Sequence, residues 1–558
     1  MELTKKNIPA NPAPKNSGEP VLSKDLFVRY KDEKDLHDQA FETKPVSYLT
    51  DCFKRFAKNK ASIVAAVIIF LIALYAIIVP LASPRSRVDS VAYPNGYMDS
   101  NFAYVLPYNS LFKGTGFWDG TKVETKSEND YQTMLYGDSN HSRFVSLVST
   151  SESRVGSSVV KAYKVRIDTY AVGNKNVKLS PKQFEALTNY EKAQNIYRAD
   201  KSIMKPLVDV ESYLTTYEAQ IIADGVSTTT ASGIIDFMRT YYNQNSNVYF
   251  ALSAKTSSGK YSQNRFSPVL DSSGKPVDIY KRDTANNLVY EELVSGEYSV
   301  RVDYFDYATY RDGFQPYFFF GTNDAGQDIF LRLAKGTQFS LLLGIGISAI
   351  NFIIGLIWGA MSGYYGGTTD LIMERITDII ANIPSIIILS ICSIQFTNNV
   401  GLKAALGESG IIVLAFLVAF VYSGWVGVAS TTRMQFYRFK GQEYVLASRT
   451  LGAKDGRLIF KHILPNAIGT LVTSSVLMIP GVIFSESSLS YLGIINFSTS
   501  GLSSIGSLLN EGQAAGLQYY PHVLLFPCII ISLLMISFNL FGNGLRDAFN
   551  TSLKGSED

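Results

Sequence analysis

Cysteine is nearly absent from this 558-residue chain: Cys52, Cys392 and Cys528 are the three present, and none falls between residues 83 and 320. No disulfide framework therefore holds that polar, tyrosine-rich stretch together, and it must fold on an apolar core of its own. Histidine is equally sparse, with four residues. His462 has no second histidine or cysteine at ligand spacing, so no metal site is expected. The chain lacks any G-x-x-x-x-G-K-[ST] segment, the backbone cradle and lysine that a nucleotide hydrolase needs. The nearest approach, Asp271-Ser272-Ser273-Gly274-Lys275, has no closing hydroxyl residue and reads as a turn between two short strands. No catalytic residue is assigned. A net charge of +3, with no basic stripe interleaved with aromatics, gives no argument for nucleic acid as a partner.

Charge is missing altogether from residues 61–82, a run long enough to cross a bilayer core, which takes roughly 20 apolar residues. Comparable runs at 338–363, 376–396, 409–432, 463–485 (extending toward 492) and 519–540 predict six membrane-spanning helices in all. Basic residues set the orientation. Lys54, Arg55, Lys58 and Lys60 stand before the first span, and Arg433, Arg438, Lys440, Arg449, Lys454, Arg457 and Lys461 stand between the fourth and fifth. On the other side Lys403 is alone in its loop, and no basic residue lies between Ser487 and Tyr520. Both termini are thus expected in the cytoplasm and residues 83–320 outside. The first run begins behind a tail containing NIPANPAPKNSGEP, which reads as disordered, and no cleaved secretory signal is expected.

The stretch 83–320 reads as an α+β domain, not a linker. Tyr163, Val165, Ile167 and Thr169 alternate with Lys164, Arg166 and Asp168, and Tyr298, Val300, Val302 and Tyr304 alternate with Ser299, Arg301 and Asp303, the period of half-buried strands. Ser180 before Pro181, with Gln183 as a capping-box partner, predicts a helix start. PLVDVESYLTTYEAQII predicts a second helix. The tyrosines can form a docking surface for an external protein or guide substrate; a structural role and a cell-wall contact are the alternatives.

Residues 441–469, GQEYVLASRTLGAKDGRLIFKHILPNAIG, predict helix, turn, helix. Helix formers come first, small Ala447 and Ser448 let another surface approach, Gly452 supplies the break, and a second helical stretch ends at Pro465. Such an elbow between two spans can dock into a groove on a cytoplasmic partner, or rest as a solvated basic loop on lipid headgroups. Within the spans, Glu486 and its neighbour Ser485 are candidates for a pathway or gate, with a buried structural contact as the other reading of Glu486. Asn382 and Asn539 are candidates for the pathway or for hydrogen bonds between helices. Arg375 and Asp378 predict a structural membrane pair.

The elbow resembles the signature of the binding-protein-dependent ABC importer permeases: Glu-Ala-Ala, three residues, Gly, nine residues, Ile, one residue, Leu-Pro. Here Leu446, Ala447 and Ser448 form the triplet, Gly452 follows, and His462, Ile463, Leu464 and Pro465 close the pattern, with Glu443 one turn before it. Further stretches resemble the second, C-type permease subunit of the oligopeptide and dipeptide branch, whose relatives also carry nickel complexes. They are YLTDCFKRFAKNKAS; Gly321, Thr322, Gly326, Asp328, Arg332 and Gly336; GYYGG from Gly363 with Arg375, Asp378 and Pro384; SSLSYLG; and FNLFGNGLRDAFN. Leu446 and His462 depart from the pattern, as do Asn323, Gln327, Gln338 and Asn543, and the external insert lies outside the resemblance.

The resemblance implies an all-α polytopic membrane protein of the ABC importer type I permease fold, interrupted by the extracellular α+β insert. Its parts are a cytoplasmic tail (1–46), an amphipathic lead-in and first transmembrane helix (47–82), the insert (83–320), a permease core with five more transmembrane helices and the coupling loop 433–466 (321–545), and a cytoplasmic tail (546–558). It further implies half of a pathway for oligopeptides or dipeptides. The partners would be a second permease subunit, two cytoplasmic ATPases that hold ATP and Mg, an extracellular substrate-binding lipoprotein and membrane lipid, with no cofactor on this chain. Glu443, Ala447, Ser448, Gly452, Ala453, His462, Leu464 and Pro465 would form the ATPase-coupling surface. The competing readings are an ion-gradient-driven secondary transporter and a membrane-anchored sensor or adhesion protein.

Overall fold

The structure, a computed structural model, describes residues 48–86, 97–137, 142–155, 158–194, 207–245, 248–256, 258–289, 291–292, 296–495, 497 and 502–549. The segment 7–20 and the C-terminal tail from 550 lie outside the described residues. Residues 1–54 form one unit, described from the opening of α1 (Tyr48–Lys58), and residues 55–558 form a second. In the second unit α2 (Lys60–Ala82) starts where Asn59 caps it, its side chain accepting from the Ser62 amide at 3.3 Å. Its 23 residues reach about 35 Å at the helical rise.

The insert follows. β1 (Thr121–Ser127), α3 (Glu128–Gly137), β2 (Phe144–Val155) and β3 (Ser158–Asp168) form its first layer, an antiparallel sheet in the order β1-β3-β2. The predicted alternation holds: Val165 and Ile167 are buried with Met134, and Tyr163 stacks on Tyr131 at 4.3 Å. β4 (Asn174–Leu179) leads to α4 (Pro181–Ala193), which begins with the predicted capping box of Ser180 and Gln183. α5 (Val210–Ala223) and α6 (Thr228–Gln244) close with β5 (Leu252–Ser253) and β6 (Ser267–Pro268) on a core of Leu214, Ile221, Ile234, Met238 and Phe250. The expected turn is present, with the Gly274 amide donating to Asp271 O at 3.0 Å.

β7 (Glu291–Glu292) and β8 (Tyr298–Asp303) complete a second sheet, β4-β8-β7, before α7 (Tyr304–Asp312). Val300 and Val302 pack on Leu179 and Leu187 as the alternation predicts. Arg301 and Asp303, expected on the outer face, are buried as well. Asp303 caps α7 by accepting from the Phe305 amide at 3.1 Å, and Arg301 lies over the Tyr249 ring at 6.0 Å.

The remaining elements are helical. They are α8 (Ile329–Tyr365), α9 (Gly367–Ala381), α10 (Ser385–Thr397), α11 (Val400–Gly424), α12 (Val426–Lys440), α13 (Glu443–Thr450), α14 (Asp455–Arg457), a π-turn (Leu458–Ile463), α15 (Leu464–Val476), α16 (Met478–Tyr491), α17 (Ile505–Ala515) and α18 (Pro521–Phe549). Among the described residues, five helical runs can cross a membrane by length and composition, or six if the bent pair α9 and α10 makes one span. The expected third span, 376–396, is therefore not one straight helix: its two halves meet at 69° around Asn382 and Pro384. Proline cannot donate a backbone hydrogen bond and disfavours helix in the residue before it, which breaks the run there.

Along α8, Gly355, Gly359 and Gly363 recur once per turn, and a Cβ at any of them would collide with the backbone of α12 around Trp425, Ala429 and Arg433. Small residues at this spacing are what allow two membrane helices to pack backbone to backbone. At the other end of the bundle the insert is clamped down. Phe320 stacks on Phe526 at 3.8 Å, Tyr104 on Tyr520 at 3.9 Å, and Arg85 pairs with Asp328 at 2.9 Å.

Candidate functional site

The elbow is built from α13, a tight turn and α14 running into the π-turn. Val445, Leu458 and Ile463 are buried with Phe436 of α12 and with Ala360 and Tyr364 of α8, so the elbow is seated on the bundle by its own apolar core. Gly452 sits at the apex with φ of +83°, a left-handed conformation that glycine takes without a Cβ penalty. Amide bonds from Leu451 to Ala447 O (3.1 Å), Gly452 to Arg449 O (3.0 Å) and Ala453 to Ser448 O (3.1 Å) close the end of α13. The two arms are tied where the Asn466 amide donates to Tyr444 Oη at 3.1 Å and to His462 O at 2.8 Å.

Of the sequence-predicted coupling residues, Glu443 and Ala447 are exposed on α13, Ser448 is half-buried beside them, and Gly452 is exposed at the apex. Ala453, His462 and Leu464 are half-buried and Pro465 is exposed on the second arm. The expected stop at Pro465 does not occur: helix continues through it into α15 and α16. A proline here removes a hydrogen bond to the preceding turn, and the wider π-turn over Leu458–Ile463 accommodates that loss without ending the helix. Sequence reasoning passed over the elbow's most outward apolar groups, Leu451 at 88% exposure and Phe460 at 68%; Leu446, quoted there as the first of the triplet, is exposed as well. Their signal was available as large apolar residues on a loop otherwise rich in charge.

A polar linkage joins the elbow to the helices above it. Tyr364, near the end of α8, donates to Asp455 Oδ1 at 2.6 Å and accepts from Arg449 at 3.3 Å. Arg433 on α12 holds Asp370 on α9 with two bonds, at 2.6 and 2.7 Å, and Tyr437 donates to the same carboxylate at 2.7 Å. Ser362 of α8 also donates to Asp370. Planar guanidinium on carboxylate in this two-bond form fixes direction as well as distance. Sequence reading had Arg433 only as a marker of the cytoplasmic side, because its partner lies 63 residues away.

The candidate pathway residues do not converge. Glu486 has 0% exposure and is caged by serines: Ser340 donates to it at 2.9 Å and Ser490 at 3.0 Å, where α8, α16 and α17 meet. Its geometry is that of a buried contact between helices. Ser485, half-buried, bonds Gly481 O at 2.9 Å in its own helix. Asn382 and Asn539 are exposed, and each returns its amide to its own chain, to Asp378 O at 2.6 Å and Met535 O at 2.9 Å. Arg375 and Asp378 form the expected ion pair at 3.1 Å, on an exposed face of α9. A hollow of about 300 Å³ opens instead between α10, α11 and Ile494–Ile495, lined by Leu389, Ser390, Ser393 and Ile412. Among the described residues no cluster of His, Cys, Asp and Glu could hold a metal.

Two family models match the chain: the binding-protein-dependent transport system inner membrane component over residues 355–555, and the N-terminal TM domain of oligopeptide transport permease C over residues 47–101. The oligopeptide transport system permease protein OppC of Bacillus subtilis is 40% identical over 235 residues, covering 42% of this chain and 72% of the relative. The dipeptide transport system permease protein DppC of the same organism is 36% identical over 42% of this chain and 69% of its own length. A solved inward-facing form of the MetNI methionine ABC transporter aligns at 19% identity, over 39% of this chain and 96% of that one, with a TM-score of 0.29, too slight a likeness to bear on the fold. The 355–555 match takes in the end of α8, α9 to α12, the elbow and α18, and the 47–101 match takes in α1, α2 and the opening of the insert. The chain thus belongs to the inner membrane components of binding-protein-dependent transport systems, as a multi-pass permease subunit on the C-type branch of the oligopeptide and dipeptide permeases.

Proposed function

We propose that this chain forms half of a peptide translocation pathway and is driven through its elbow by ATPases on the cytoplasmic side. A second permease subunit supplies the other half, and an extracellular substrate-binding lipoprotein delivers an oligopeptide or dipeptide. ATP and Mg reside on the two ATPases, and this chain binds no cofactor. Both termini face the cytoplasm and the insert faces outward, in keeping with the basic residues before α2 and around the elbow.

The observation that carries this reading is the elbow's construction: Leu446, Leu451 and Phe460 point away from a core that Val445, Leu458 and Ile463 bolt to α8 and α12. Apolar anchors on a short helix suit insertion into a groove on a partner. When the ATPases close on ATP, motion of the elbow passes through the Tyr364–Asp455 and Asp370–Arg433 linkages to α8 and α9. α9 continues into the bent α10, which borders the apolar hollow, so this route reaches the helices best placed to open and close a passage. Glu443, Ala447, Ser448, Gly452, Ala453, His462, Leu464 and Pro465 form or support the contact. Asn382 and Asn539 are exposed, where the second subunit or the passage would lie, whereas Glu486 ties α16 to α8 through Ser340 and Ser485 bonds within its own helix.

Reconstitution in proteoliposomes with the partner subunits tests the reading. Uptake of labelled peptide should require ATP and the ATPases. Uptake that persists without them under an ion gradient would assign the chain to secondary transport, and absence of uptake with all partners intact would favour an anchored sensor.

A further inference from the structure

The insert carries an apolar tip that neither the elbow nor the transport reading uses. Residues 110–118, Ser-Leu-Phe-Lys-Gly-Thr-Gly-Phe-Trp, contain Lys113 as their single charge. Leu111 is 85% exposed and Phe117 62%, with Phe112 and Phe319 exposed beside them. The tip is an ordered structure. Asn109 caps its first turn by accepting from the Leu111 amide at 3.1 Å, Phe112 meets Phe117 edge to face at 5.7 Å, and Trp118 donates its indole N–H to Phe319 O at 2.6 Å. At its base Asp119 accepts from the amides of Gly116 at 2.7 Å and Thr121 at 3.0 Å.

Its depth is set by two independent helices. Trp118 packs on Phe526 at 5.5 Å, and it shares a cluster with Tyr75, Leu333, Leu508 and Ile530. Tyr75 lies seven residues before the end of α2 at Ala82, so about 10 Å down that helix, and Phe526 lies five residues, about 7 Å, into α18 from Pro521. Both helices are spans, so the tip hangs alongside them below their ends, at the level of a bilayer leaflet. Leu74, Ile77, Ile78 and Leu81, on one side of α2 by their spacing, are exposed in the same half of that helix.

We propose that residues 110–118, with Phe319, are a membrane wedge that inserts Leu111, Phe112 and Phe117 into the leaflet on the insert's side, with Lys113 reaching back to the lipid headgroups. Aromatic residues favour that interfacial zone, and a lysine on a flexible stem can keep its charge in water while its neighbours are buried. The wedge holds the insert at a fixed height on the bundle. It rests on α2 and α18 crossing the membrane and not on what the protein carries.

Hydroxyl-radical footprinting of the unaltered full chain in phosphatidylcholine–phosphatidylglycerol nanodiscs, without partner subunits, gives the first test. Phe117 and Phe237 of α6 have similar exposure, 62% and 55%, so water alone would oxidise them alike. Phe117 is expected to be protected while Phe237 is oxidised; equal oxidation overturns the wedge. A spin label at Phe117→Cys, with Cys52, Cys392 and Cys528 replaced by alanine, identifies what protects it. Faster collision with oxygen than with a water-soluble nickel chelate, and the reverse at Ser273→Cys in the insert's turn, is the expected result. Protection from both reagents that arises only after the second permease subunit is added would overturn the proposal and make the tip a protein interface.

Discussion

The two ends of the helix bundle are finished in opposite ways. At the elbow end, large apolar side chains point outward from a small core, and the links to the bundle are directional polar bonds, Tyr364–Asp455 and Asp370–Arg433. At the insert end, the rings that join insert to bundle are turned inward and stacked, Phe320 on Phe526 and Tyr104 on Tyr520, with Arg85–Asp328 and Arg332–Glu511 pinning the rim. Polar links hold a geometry while leaving an apolar surface free for a partner. Stacked rings close a surface and make the insert a rigid continuation of the spans. One end is built to be gripped, the other to stay put.

The largest effect is expected at Gly452. Gly452→Pro cannot adopt φ of +83° and should abolish ATP-driven uptake while membrane insertion persists, checked by transport and by surface labelling of the same preparation. Next comes the opposite end. Phe526→Ala removes the ring under both Phe320 and Trp118 and should cost about 3–5 kcal/mol of stability, read as a lower melting temperature. The same change should increase protease cleavage within 97–137 but leave coupling of the surviving protein intact.

Asp370→Asn sharpens the contrast by keeping shape and removing charge. It should cost about 1.5–3 kcal/mol, because the acceptor bound by Arg433, Tyr437 and Ser362 is no longer ionised. Its effect should not add to that of Arg433→Gln in a double-mutant cycle on uptake.

The smallest effect concerns pH at the insert's tip. Burial pushes the Asp119 carboxyl up, but hydrogen bonds from Thr121 and Gly116, together with Arg166, outweigh it and hold the carboxyl below the usual range. A carboxyl lowered in the folded state contributes stability above its unfolded pKa and loses it as pH falls through the folded value. Amide protection at residues 110–121, corrected for the intrinsic exchange rate at each pH, should therefore fall as pH drops below about 4, and less so in Asp119→Asn.

The spans were legible because charge-free runs and basic flanks are local patterns, as were the strands around Val165 and Val300 and the Ser180 capping box. The elbow's helix, turn and helix were legible from Gly452. Three things were not. Pro384 was visible, yet an apolar run long enough to span hid the 69° break beside it. Pro465 looked like a stop, but tertiary packing of Ile463 and Leu458 carries the helix through by way of a π-turn. The seal of Trp118 on Phe526 joins residues some 400 positions apart, and no periodicity encodes such a pairing.

The claim that the elbow takes force from a nucleotide-driven partner is tested most directly by a photo-crosslinker placed at Leu451 in native membranes. The expected product is an adduct with an ATPase subunit whose yield changes between ATP and ADP. Adducts with lipid alone, under conditions where peptide uptake is intact, would contradict it.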